Sequence, residues 1–205
     1  GSFLHFVGYT AGRNNTTGTN NHFTGYRAGR LNTTGSFNYF SGPDAGYNNL
    51  GGNLNAFIGY AAGHTNTAGI ENIYIGPHSG FHSNANRSVF LGYKTGYGNT
   101  TGDNNTFVGH QSGLNNTIGA DNTFIGTSSG LNTTTGSSNH FSGFNAGHLN
   151  TTGSGNTFSG FGAGFINTTG SNNTLIGMNA DVTADNLTNA GAIGYNAKVS
   201  QSNSF

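Results

Sequence analysis

The stretch Asn156-Thr157-Phe158-Ser159-Gly160-Phe161-Gly162-Ala163-Gly164-Phe165-Ile166-Asn167-Thr168-Thr169-Gly170-Ser171-Asn172 decides the reading of this chain, because its pattern recurs from one end to the other. Aligned on the glycine that closes an aromatic-x-Gly triplet, anchors fall at Gly8, Gly25, Gly42, Gly59, Gly76, Gly92, Gly109, Gly126, Gly143, Gly160, Gly177 and Gly194. Successive anchors are 17 residues apart, with one step of 16 between Gly76 and Gly92. Self-similarity at a fixed period is the signature of a solenoid, whose units bury their apolar faces against copies of themselves. That explains a composition unsuited to an ordinary globular core. Leu, Ile, Val and Phe make up just under a fifth of the residues and charged residues only 6%, against about a quarter charged in a typical soluble domain. Disorder from so few apolar residues usually accompanies a high net charge, and here the formal net charge is zero.

Within a unit, aromatic and β-branched residues cluster just before the anchor, bounded by Asn and Gly, which reads as a short strand. Strand periodicity places Phe124 and Gly126 on one face and Ile125 and Thr127 on the other. The inward face carries the expected core ladder, Phe23, Phe40, Phe57, Phe90, Phe107, Phe124, Phe141 and Phe158, together with Phe6 and the variants Tyr74 and Leu175. Anchors such as Gly25, Gly59, Gly109, Gly126 and Gly160 are expected at turns, followed four residues later by a second glycine and six later by a third. Glycine suits corners that need φ > 0 or close backbone approach. The expected fold is all-β, a parallel β-solenoid (β-roll) of about twelve 17-residue coils, each a flattened loop with short strands. Residues 1–180 form the regular array, and residues 181–205 a modified final coil leading towards a shorter repeat.

The outward strand face repeats Val7, Ile58, Ile75, Leu91, Val108, Ile125 and Ile176, followed by Tyr or Phe after the anchor. One Phe per coil fills the small lumen, so this second apolar column must be covered from outside. A continuous apolar stripe is larger than a soluble monomer normally exposes, and cyclic packing of several chains buries it. A homotrimer is expected.

The unit around Ala190-Gly191-Ala192-Ile193-Gly194-Tyr195-Asn196-Ala197 resembles the repeat of YadA-like trimeric autotransporter adhesin heads, and the remaining coils resemble the Asn-Thr-Phe-Ile-Gly-x-x-Ala-Gly arrays of bacterial surface proteins and bacteriophage tail fibres. The adhesin heads use a shorter coil than the one here. The resemblance implies a trimeric parallel β-roll serving as a stalk or head of an extracellular appendage, at a cell surface or on a virion.

Among functions, a structural and adhesive fibre segment, joined end to end within a longer fibre, is the leading expectation. A solenoid binding module with an ice- or glycan-binding face is the alternative. Six basic and six acidic residues, scattered, carry no footprint for nucleic acid. No long apolar run inserts in a membrane, and there is no cysteine. Catalysis is not expected, since the acids stand singly on separate coils and the glycines follow the coil period rather than a nucleotide-binding loop. No metal or cofactor is expected, although His5, His22 and His140 share one repeat position. The Asn-Thr-Thr segments admit three readings. They form a polar corner stacked by inter-coil hydrogen bonds, or an exposed bend glycosylated at Asn15, Asn32, Asn99, Asn132, Asn150 and Asn167, or a crystalline-surface contact. A glycan receptor is the candidate external partner.

Overall fold

The computed structural model describes residues 3–205. Each coil contributes one short strand: β1 (Leu4–Val7), β2 (Asn21–Thr24), β3 (Tyr39–Ser41), β4 (Ala56–Ile58), β5 (Ile73–Ile75), β6 (Val89–Leu91), β7 (Thr106–Val108), β8 (Thr123–Ile125), β9 (His140–Ser142), β10 (Thr157–Ser159), β11 (Thr174–Ile176) and β13 (Gly191–Ile193). These twelve stack in chain order as one parallel sheet. Register follows the repeat: Phe107 lies beside Phe124, and the step of 16 appears as Ile73 beside Val89. The array is the parallel β-solenoid, but a coil has one strand rather than several. Its return leg is all turns. Glycines and left-handed residues interrupt extended backbone there, yet the leg still bonds to the next coil, as where Gly29 N–H donates to Ala45 O (2.9 Å) and Leu31 N–H to Tyr47 O (2.9 Å).

The lumen is a single column of rings. Phe23, Phe40, Phe57, Tyr74, Phe90, Phe107, Phe124, Phe141 and Phe158 are fully buried, stacked nearly parallel with centroids 4.7 Å apart at Phe107–Phe124 and 4.9 Å at Phe124–Phe141. Burying each ring contributes about 1.5–3 kcal/mol. Across the lumen the second glycine makes room for it. A Cβ on Gly29 would stand 2.6 Å from Phe23 Cδ2, and φ there is +56°, so two separate constraints select glycine.

The anchor glycines are left-handed or beyond, Gly109 at φ +133° and Gly126 at +130°. The third glycines do not take positive φ; a Cβ on Gly52 would instead lie 2.5 Å from Gly69 O of the next coil. The other left-handed corners fall on residues that composition does not flag. One column lies two residues after the anchor (Arg27, Ala61, His78, Lys94), and the other immediately precedes the strand-entry asparagine, or Ser88 in its place (Phe37, Leu54, Glu71, Arg87), all at φ between 52° and 61°.

Two buried asparagine ladders replace the side-chain hydrophobicity that the coil lacks. In the first, Asn38 N–H donates to Asn21 Oδ1 (2.9 Å) and Asn55 N–H to Asn38 Oδ1 (3.0 Å), while Asn21 Nδ2 donates to Gly35 O (2.7 Å). The second runs through the Asn-Thr-Thr corner: Asn32 Nδ2 donates to Asn15 Oδ1 (2.7 Å) and Gly35 O (3.0 Å), and Asn49 Nδ2 to Asn32 Oδ1 (2.7 Å). Bonds that pair nearly all the buried amide groups, Asn66 Oδ1 and Asn116 Oδ1 excepted, are what make interior asparagine tolerable. At the same corner one carbonyl collects three donors, with Leu50 O accepting from Thr33, Thr34 and Gly35 N–H.

The 16-residue coil shows how the design absorbs a deletion. Asn84 Oδ1 stands in for the corner carbonyl, accepting N–H bonds from Thr67 (3.0 Å), Ala68 (2.9 Å) and Gly69 (3.1 Å). Ser83 replaces the ladder asparagine and Tyr74 replaces phenylalanine, and their hydroxyls share a hydrogen bond of 2.7 Å. The final coil departs differently. Asp181 takes the second-glycine position, and β12 (Asp181–Val182) pairs with β14 (Lys198–Val199) as a second small sheet. Beyond it the spacing falls to 14 residues: Thr188 N–H donates to Ser202 Oγ (3.0 Å) and Asn189 Nδ2 to Asn203 Oδ1 (3.1 Å).

Candidate interaction face

Alternation about the buried Phe column turns two positions per strand outward, so the exposed side of the sheet is built from pairs such as Thr123 and Ile125, Ile73 and Ile75, and Thr106 and Val108. The residue after each anchor adds a third column beside it. Ile125 is 42% exposed, Tyr60 50% and Phe161 51%, and the column stacks along the rod, with Phe144 and Phe161 centroids 5.1 Å apart. No Asp, Glu, Lys or Arg occupies any of these three columns. A largely apolar strip, free of Asp, Glu, Lys and Arg but carrying His5, His22, His110 and His140, therefore runs the length of the sheet.

Charges lie on the return leg. Arg27 holds Asp44 through two bonds of 2.7 and 2.8 Å, while Arg87–Asp103 and Lys198–Asp181 are looser at 3.8 Å. Desolvation raises the Asp181 carboxyl above its ordinary value, opposed by N–H bonds from Ile166 and Val182 and by Lys198. Desolvation lowers His64 and His78 below theirs. Among the described residues no three His, Asp or Glu side chains gather as metal ligands would, and no helix is long and apolar enough to cross a membrane.

The proposed sequon asparagines occupy varied places. Asn32, Asn99, Asn150 and Asn167 are fully buried, with side-chain amides donating inward, as Asn167 Nδ2 does to Asn150 Oδ1 (3.1 Å). The bend is where the spacing puts it, but these asparagines face the interior rather than an exposed bend. Asn15 and Asn132 are half-buried; Asn132 precedes the ladder position, which Thr133 occupies in its coil. The threonine after each ladder asparagine is also engaged, Thr16 Oγ1 donating to Thr33 O and Thr33 Oγ1 to Leu50 O, each at 2.9 Å. The histidines at one repeat position do not converge: His5 stacks on His22 (4.5 Å), His22 on Tyr39 (4.8 Å), and His140 is seven coils further along.

Sequence reasoning missed a cluster on the return leg between residues 27 and 97. Tyr47, His64, Phe81 and Tyr97 stack in four consecutive coils at 5.1, 4.8 and 5.2 Å, with Arg27 and Lys94 over neighbouring tyrosines. Its signal was available as a column five residues after the anchor, in which aromatic and basic residues replace Leu. No protein-family model, curated protein or solved structure matches the chain.

Proposed function

We propose that this solenoid is a structural and adhesive fibre segment of an extracellular appendage, at a cell surface or on a virion, that works as a homotrimer through the outward face of its sheet. The observation that carries this is the strip of mainly Ile, Val, Thr, Ser, Tyr and Phe, with four histidines and no Asp, Glu, Lys or Arg, extending over all twelve strands of the long sheet. An apolar surface that continues with every coil calls for an equally long partner, and other copies of the same rod supply one. Three copies around an axis bring each strip against its neighbour and close the assembly. Rigidity and repetition then perform the function, displaying several weak contacts at once so that avidity replaces any single strong site.

Charge inserted into the strip tests this. Val108→Lys with Ile125→Lys, adjacent on neighbouring strands, is expected to convert the assembly into single chains in a sedimentation experiment while the β signal in circular dichroism persists. A variant that keeps the assembled mass of the parent overturns the assignment of this face.

A further inference from the structure

We infer that the return leg between Arg27 and Tyr97 is a binding face for a linear acidic polysaccharide. This deepens the adhesive reading above and rests on it, and it assigns the contact to the return leg that borders the trimer strip at Tyr26 and Tyr93.

The first observation is electrostatic. Before residue 101 the chain has five Lys or Arg against two acids; after it, one against four. The rod is thus polarised, and its basic half holds the longer aromatic stack, the acidic half keeping only His148 on Phe165 in the same column. Arg27 lies 4.8 Å from the Tyr26 ring and 5.1 Å from that of Tyr47, and Lys94 lies 5.4 Å from Tyr93 and 5.7 Å from Tyr97. Arg27 is tied to Asp44, but Arg30 and Lys94 make no ion pair among the described residues.

The second is strain. The column two residues after the anchor is left-handed in every coil, a conformation that costs a bulky residue about 1–2 kcal/mol relative to glycine. After Gln111 and Ser128 the later coils fill it with residues that bear it easily, Asn145, Gly162 and Asn179, whereas the basic half holds Arg27, His78 and Lys94 there beside Thr10, Asp44 and Ala61. Arg27 gains its two bonds to Asp44 in return, but Lys94 gains no ion pair among the described residues, and strain retained without such a benefit points to contact with something else.

The third concerns which ligand fits. The rings of Tyr47, His64, Phe81 and Tyr97 cover one another's faces, with interplanar angles of 3°, 7° and 16°. A neutral sugar has no ring face to stack on. What the ladder offers sideways is ring edges, the positive rim of the quadrupole, and the adjacent cations add to it. A row of ring edges with an ion-pair-free cation at each end, Arg30 over Tyr47 and Lys94 over Tyr97, suits a stiff polymer whose carboxylate or sulfate groups recur along its length.

The test uses the whole segment immobilised and titrated with polygalacturonate, heparin, dextran and duplex DNA. Carboxylated or sulfated polysaccharide is expected to bind, weakening about tenfold or more between about 50 and about 200 mM salt as polyanion contacts do; which of the two binds tighter identifies the acid group. Lys94→Glu is expected to weaken binding at least tenfold without changing native mass, and Lys198→Gln at the far end to leave it unchanged. Should Lys94→Glu not fold, Arg30→Gln gives the same readout. Dextran binding as tightly, DNA matching both polysaccharides, or indifference to Lys94 and Arg30 overturns the proposal. A three-chain mass without acidic-glycan binding removes this inference alone, and binding by a single chain removes the trimer reading alone.

Discussion

Thr133 is a fault in a ladder, and repairing it should stabilise the rod. In the coils before it, Asn116 Nδ2 donates to Asn99 Oδ1 (2.6 Å) and to Gly119 O (2.9 Å). The chain of amides stops there, because Thr133 occupies the next rung. Asn116 Oδ1 and Thr133 Oγ1 are both left buried without a partner. Thr133→Asn places an Nδ2 between Asn116 Oδ1 and Gly136 O, and an Oδ1 towards Asn150 Nδ2, reproducing the geometry of the intact rungs. A buried unsatisfied polar group costs about 1–3 kcal/mol, and each net amide bond contributes about 0.5–1.5 kcal/mol. After the entropy of fixing a longer side chain, a gain of roughly 2 kcal/mol is expected. In a chain of this size that raises the thermal midpoint by about 4–8 °C. Urea unfolding of parent and variant measures it, with the slope held constant as the check that the same surface is exposed. An unchanged or lowered midpoint would refute the claim that the asparagine ladder is a source of stability rather than a consequence of the repeat.

Three further outcomes follow from the same geometry. Phe124→Ala removes a fully buried ring held between Phe107 and Phe141 and is expected to cost about 3–5 kcal/mol by denaturant titration; a loss under about 1 kcal/mol would show the lumen collapsing freely. Gly109→Ala puts a Cβ 2.5 Å from Gly126 O at φ +133° and should abolish the native circular dichroism spectrum at moderate temperature, whereas a folded variant would mean the coils slide apart at little cost. His64 and His78 are held below their ordinary 6.5 by burial. The unfolded chain therefore takes up protons near 6.5 that the native state accepts only at lower pH, so these groups' contribution is complete above 6.5 and declines as pH falls below it. His64→Asn with His78→Asn should flatten the midpoint-versus-pH curve in that window, and an unaltered slope contradicts the assignment.

The period, the coil count and the Phe column were legible because they repeat in one dimension. Each Phe is inward for a local reason, strand alternation next to a glycine, and needs no distant information. The single strand per coil was not legible, since the return leg is interrupted by left-handed residues such as Arg27 and Leu54, whose side chains give no hint of positive φ. The corner asparagines read as polar and exposed, and only the donors and acceptors supplied from the adjoining coil make their burial favourable. The compensations in the short coil are coupled in the same way: Tyr74 and Ser83 look like two unrelated departures until one hydrogen bond joins them. The aromatic and basic column of the return leg was visible in the alignment, but its contiguity with Arg27 and Lys94 depended on how tightly the turns fold.

Native mass of the unmodified segment at two protein concentrations, by sedimentation equilibrium or light scattering, bears most directly on the central claim that the outward sheet face is an interface between copies. The account predicts a mass of three chains that does not change on dilution. A clean single-chain mass at both concentrations would contradict it, leaving the Ile, Val and Tyr strip open to solvent.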